Sequence, residues 1–228
     1  MKALSLHAKY LTTTTDEGVK EAIVDELLVM VNSHQIPALQ LTASHVFMAA
    51  GKTREALQCV HLGTTMEHLS ACVQIYMKID RLDLAAESLS LMKQADEDAI
   101  LTQLSGVQIN IVNGRATAKD AIHTLMGLTE QYGPNTYLLN LTAVANIVAA
   151  KYEAAQSALQ TAITEFPDDK SPDTLINLIV CSQHMGKGLD TDTLTQLTTQ
   201  YPNHTFVQSL QRVQGALERE STKYKITA

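Results

Sequence analysis

The chain has 228 residues and a formal net charge of −7, with 17 Lys and Arg against 24 Asp and Glu and no basic run, so neither nucleic acid nor an anionic lipid surface is expected as a direct partner. Three scattered cysteines are too few for a disulfide framework, and no apolar run reaches the roughly 18 residues of a membrane span. Ala, Leu, Thr and Gln are common while Gly, Pro and aromatics are few, a composition suited to helices and poor in strand formers and hairpin turns.

The opening stretch, MKALSLHAKYLTTTT, holds only a short apolar segment and does not read as a secretory signal, so a soluble cytoplasmic protein is the expectation. Leu4–Tyr10 and Glu17–Val31, the latter ending at Asn32-Ser33, read as the helices of a first pair over 1–33. A second pair, 37–65, turns at Gly51-Lys52 and resumes at Thr53-Arg54-Glu55-Ala56. In the third, 66–98, Leu69, Cys72, Val73 and Tyr76 share one helical face, and the turn is Asp80-Arg81. The fourth, 99–133, has a looser turn at Thr117–Ala121. The fifth, 136–169, is the most regular: Ala143, Ala155 and Ala162 take small-residue positions, Leu139 and Leu159 large apolar ones, and Pro167 stops the second helix. The sixth, 172–201, breaks at Gly186 and Gly188 and is stopped by Pro202; residues 204–221 then read as a cap over the last apolar face.

Ala56, Ala85, Ala121 and Ala155 align across these turns at separations of 29, 36 and 34 residues, around the roughly 34-residue tetratricopeptide period. A small side chain there lets a second helix lie close to the first. The expected fold is therefore all-α: one tetratricopeptide-like superhelix, a right-handed α-α solenoid over 1–228, closed by a C-terminal capping helix. An irregular helical bundle is the competing architecture.

Sites for chemistry are absent from the pattern. Gly51-Lys52-Thr53 lacks the glycine that a phosphate loop places five residues earlier, where Val46 stands. Cys181 with His184, and Cys59 with His61, lack the second pair a structural zinc needs. Asp190 and Asp192 lack the other ligands of a calcium loop, no G-x-S-x-G elbow occurs, and the sequons at Asn140 and Asn203 are short enough to be accidental. No enzyme, cofactor or metal is expected, although a site assembled only in three dimensions stays open. If the first helices line a concave face, the candidate partner contacts are His45, Met48, Gln74, Met77, Asn140 and Val144, a mixture of apolar and neutral polar groups. A co-chaperone-type module that clamps acidic tails needs Lys or Arg there, but the positions hold Leu41, His45, Ser70, Gln74, Asn140 and Val144.

Three stretches carry a family resemblance. They are Val73-Gln74-Ile75 running into Asp80–Ala85, Asp96-Glu97-Asp98-Ala99 followed by Leu101–Leu104, and Thr174–Val180 with Ser182-Gln183-His184 and Gly186-Lys187. His61-Leu62-Gly63 before Glu67 and the Tyr152–Ala155 turn fit the same pattern. In order and spacing the chain resembles coatomer epsilon subunits from about Lys2 to Lys223. That family is typically longer at its N-terminus, so this chain is expected to begin inside the array. The resemblance implies a curled tetratricopeptide superhelix that clasps and stabilises the C-terminal region of the alpha coatomer subunit. It further implies a place in the COPI coat, on the cytosolic face of Golgi membranes and vesicles, in Golgi-to-ER and intra-Golgi transport.

Overall fold

The computed structural model describes residues 2–13, 16–169, 171–188 and 190–224. Those residues hold α-helices and a final 3₁₀ turn and no strand. In chain order the helices are α1 (Lys2–Thr12), α2 (Glu17–Ser33), α3 (Pro37–Ala49), α4 (Thr53–Val60), α5 (Met66–Lys78), α6 (Leu82–Ala95) and α7 (Ile100–Val112). They continue with α8 (Ala118–Tyr132), α9 (Thr136–Val148), α10 (Tyr152–Glu165), α11 (Pro172–His184), α12 (Thr191–Gln200) and α13 (Thr205–Ser221). They fall into two compact units, 1–124 and 125–228.

Local chemistry sets the helix ends. Asp16, Asn135 and Asp190 cap α2, α9 and α12 by accepting from the backbone N–H three residues on, at 3.1, 2.9 and 3.1 Å. Pro37 and Pro172 open α3 and α11, where a missing N–H costs nothing. After α3, α5, α7, α9 and α11 the chain turns on a residue with positive φ: Gly51, Asp80, Gly114, Ala150 and Gly186. Behind four of these a backbone N–H reaches five residues back: Lys52 to Phe47, Arg81 to Tyr76 and Lys151 to Asn146, each at 2.8 Å, and Lys187 to Ser182 at 3.1 Å. This is the long bond of a Schellman turn. At each of these four turns a cation thus stands at the negative end of the first helix. An acid, among them Glu55, Asp83 and Glu153, opens the next helix at its positive end.

In the first unit α1, α3, α5 and α7 pack side by side, and α2, α4 and α6 each pack on their own partner. Ala56 and Ala85 are fully buried where the paired helices meet. Around them lie Leu27, Val46, Phe47, Val60 and Ile75, then Val73, Met92 and Ile109. Burying a side chain of this size contributes roughly 1.5–3 kcal/mol. The second unit repeats the plan, with α9 beside α11 and α10 and α12 paired to them. Ala143, Ala155, Leu159 and Cys181 form its inner cluster. Val207 of α13 then packs on Ile179 and Leu197, covering the end of α11 and α12 as a capping helix should.

Candidate partner-binding face

Two consecutive first helices, α3 and α5, lie side by side. His45 and Met48 are one turn apart on α3; Gln74 is on α5. These side chains, with Ser44, Ala71 and Ile75, line an open cleft of ≈ 300 Å³. The lining contains no Lys, Arg, Asp or Glu. His45 is exposed, and its ring centre lies 6.2 Å from that of His7 on α1. Partial burial, and then the charge of His7, push its imidazole below the ordinary value of 6.5, so it is neutral near pH 7. Lys78 does not reach into the cleft; its Nζ donates to the Met48 carbonyl at 2.7 Å, at the end of α3. The surface offers apolar contact and neutral hydrogen bonding, with nothing to clamp a carboxylate.

Met77, one turn beyond Gln74, is half-buried against the cluster of Val73, Ala85 and Met92. Asn140 and Val144 lie on α9, in the second unit, and Val144 is half-buried. Asn140 is buried, and its amide is fully engaged. Nδ2 donates to the Thr136 carbonyl at 2.9 Å and to Thr174 Oγ1 at 2.8 Å, and Oδ1 accepts from Asn177 at 3.0 Å. It fastens α9 to α11.

Sequence reasoning did not name Ser44, Ala71 or Ile75 as cleft residues. Ser44 precedes His45, and Ala71 and Ile75 flank Gln74 at helical spacing, so a face drawn one residue wider would have included them. Ser44 Oγ is buried without a hydrogen-bond partner. The second unit has its own cleft of ≈ 210 Å³ beside Phe166 and Tyr201, the aromatics that precede Pro167 and Pro202.

Elsewhere the side chains that could do chemistry are occupied with packing. Cys59 and Cys72 are buried, and burial pushes their thiols up to about 11. Cys181 Sγ donates to the Tyr152 carbonyl at 3.3 Å, and His184 stacks on the Tyr152 ring at 5.3 Å. Among the described residues no three His, Cys, Asp or Glu side chains are grouped to hold a metal, and no helix is long and apolar enough to cross a membrane.

Comparison with known proteins agrees with this picture. A crystal structure of a tetratricopeptide repeat protein from Parabacteroides merdae superposes with a TM-score of 0.63 over 80% of this chain and 78% of that one, at 11% identity. The fold is therefore a tetratricopeptide-like helical-repeat solenoid. Coatomer subunit epsilon-1 of Arabidopsis thaliana is 32% identical over 219 residues, 96% of this chain and 74% of that protein. Coatomer subunit epsilon of Dictyostelium discoideum is 33% identical over 229 residues, 97% and 74% of the two chains, and that of Caenorhabditis elegans 27% over 215, 92% and 73%. The model of the coatomer epsilon subunit family matches residues 1–225. A helical-repeat protein with a neutral cleft between first helices, matched along nearly its whole length, belongs to the coatomer epsilon subunit family and is a structural subunit of the COPI coat.

Proposed function

We propose that this chain is a non-enzymatic adaptor that binds and stabilises the C-terminal region of the alpha coatomer subunit. In this reading it works at the cytosolic face of Golgi membranes and COPI vesicles, in Golgi-to-ER and intra-Golgi transport. It needs no cofactor and meets the membrane only through the coat. The observation that carries the proposal is the uncharged cleft where His45, Met48 and Gln74 converge. Such a surface suits an apolar or neutral polar segment. An acidic tail of the kind held by co-chaperone modules would find no charge-assisted hydrogen bond there. Met77 and Val144 extend the proposed contact set, while Asn140 supports it from within by holding α11 on α9.

The test is isothermal titration with the C-terminal region of an alpha coatomer subunit from the same source. One-to-one binding with a negative heat-capacity change is expected, because apolar surface is buried. Gln74→Glu together with Val144→Asp should weaken binding about tenfold or more, or about 1.4 kcal/mol, and leave helicity intact. Undiminished affinity in the double variant would remove these residues from the interface.

A further inference from the structure

The α3–α5 cleft has a neighbour on its other side. α1 packs on α3, and the ring of His7 on α1 stands 6.2 Å, centre to centre, from the ring of His45 in the cleft lining. Leu4, His7 and Leu11 follow one another at i, i+3 and i+7 and so share one face of α1. Leu4 is 59% and Leu11 64% exposed. The apolar residues that hold α1 in place are others, Ala3, Leu6 and Tyr10, which join the core of the first unit. Two leucines therefore stand in water on the turns either side of an imidazole that faces the cleft.

The charges around the two rings are few. α3 carries no Lys, Arg, Asp or Glu, and none lines the cleft. On α1, Lys2 is held by Glu26 of α2 at 2.6 Å, and Lys9, two residues past His7, lies off its face. Also on α2, Glu17 pairs with Lys20 at 3.3 Å, and Glu21 and Asp25 are exposed. On α5, Glu67 and His68 stand about two turns before Gln74, and Lys78 donates to the Met48 carbonyl. No carboxylate is therefore placed to hold a proton on either ring, and the charge that acts on His45 is that of His7.

We propose that the partner's apolar segment continues from the α3–α5 cleft onto α1, resting on Leu4 and Leu11 and covering the paired rings of His7 and His45, so that binding requires both rings to be uncharged. The inference rests on the partner reading above. An uncharged face with exposed leucines complements an apolar segment. The two leucines fall far short of the roughly 800 Å² that each side of a stable dimer buries, so they serve as the extension of a larger contact and do not hold a second copy. An imidazolium covered by apolar surface loses its hydration and gains no anion. Binding thus expels protons: affinity is highest above the imidazole range, around pH 6.5, and falls as pH drops through it. A segment that brought a carboxylate to the rings would show the opposite sign.

The experiment titrates the full chain with the C-terminal region of the alpha coatomer subunit at about pH 7.5 and about pH 6. Leu4→Ser with Leu11→Ser should weaken binding about tenfold at the higher pH, whereas Val29→Ser, an equally exposed apolar residue on α2, should stay within about twofold. The unaltered chain should lose about fivefold in affinity at the lower pH. His7→Gln with His45→Gln should bind within about threefold at the higher pH and lose that pH dependence. Failure of the unaltered chain to bind overturns the partner reading and this inference with it. Undiminished binding by the leucine variant, an equal loss with Val29→Ser, or the same pH dependence with and without the histidines overturns this inference alone. So does an affinity that rises at the lower pH, the sign of an acidic segment, or a dimer of the free chain in sedimentation that the leucine variant abolishes.

Discussion

Between α9 and α11 the second unit buries an amide, Asn140, that bonds to three groups on two helices. Between α3 and α5 the first unit buries Ser44 Oγ with no bond at all, and one loop away His68 Nε2 with none. Between first helices of the first unit, Lys78 Nζ on α5 reaches the Met48 carbonyl at the exposed end of α3, at 2.7 Å, while the buried side-chain contacts are longer: Ser70 to Ser105 at 3.3 Å and Thr102 Oγ1 to Met66 Sδ at 3.5 Å. In the second unit, among the described side chains, only Thr136 Oγ1 is buried and unpartnered. A closed polar network penalises any slip of one helix on the next, because every member would lose its partner. An open one imposes no such penalty. The second unit is thus built to hold its register, and the first carries two clefts with unpaired polar groups in their linings, Ser44 in the one between α3 and α5 and His68 in one beside the loop from α4 into α5.

The sharpest way to break that contrast is Asn140→Leu. The substitution leaves Thr174 Oγ1 and the Asn177 amide without their partner between packed helices. The expected loss is about 2–4 kcal/mol, measured as a lower urea midpoint at constant slope. Replacing all three groups, with Asn140→Leu, Thr174→Val and Asn177→Leu together, should recover most of it, since the penalty lies in the orphaned atoms. A single variant as stable as the unaltered chain would mean that the network fixes nothing.

The same comparison explains what could be read from the sequence. The aligned alanines were legible because a close helix approach demands a small side chain once per period. All four, Ala56, Ala85, Ala121 and Ala155, are fully buried. The stops at Pro167 and Pro202, and the helix Thr191–Gln200, follow from chemistry within a few residues. His45, Met48 and Gln74 share a cleft because spacing along one helix, and one repeat to the next, determines a common face. Asn140 was placed on the same face by the same rule. Its role depends on Thr174 and Asn177, 34 and 37 residues away, and periodicity does not report which polar side chains meet. His68 was not singled out for a similar reason: its significance comes from Gly63 lying on the ring, a contact no spacing encodes.

Gly63 tests whether the first unit holds its unpaired imidazole by close packing where the second uses hydrogen bonds. The Cβ of Gly63→Ala would lie 2.3 Å from the ring, so the loop or the ring must move. The expected cost is about 1–3 kcal/mol, the usual range for overpacking. In the background of His68→Ala the same change should cost little, and that coupling, read from a double-mutant cycle, is the diagnostic. Equal costs in both backgrounds would place the strain elsewhere in the loop.

The smallest effect is the most direct reading of the first unit's open seam. Ser44 is fully buried, and its hydroxyl bonds neither a neighbouring helix nor a carbonyl of its own. Many Ser and Thr hydroxyls elsewhere in the chain do find such a carbonyl, as Thr42 does with Ala38 at 2.7 Å. Ser44→Ala removes a desolvated hydroxyl, adds helix propensity and opens only a small void. Stability should be unchanged or rise by up to about 1 kcal/mol, opposite in sign to the loss expected at Asn140. A fall of about 1 kcal/mol or more would mean that the hydroxyl is paired in solution. The seam between α3 and α5 would then be as closed as that between α9 and α11, and the difference between the units would rest on His68 alone.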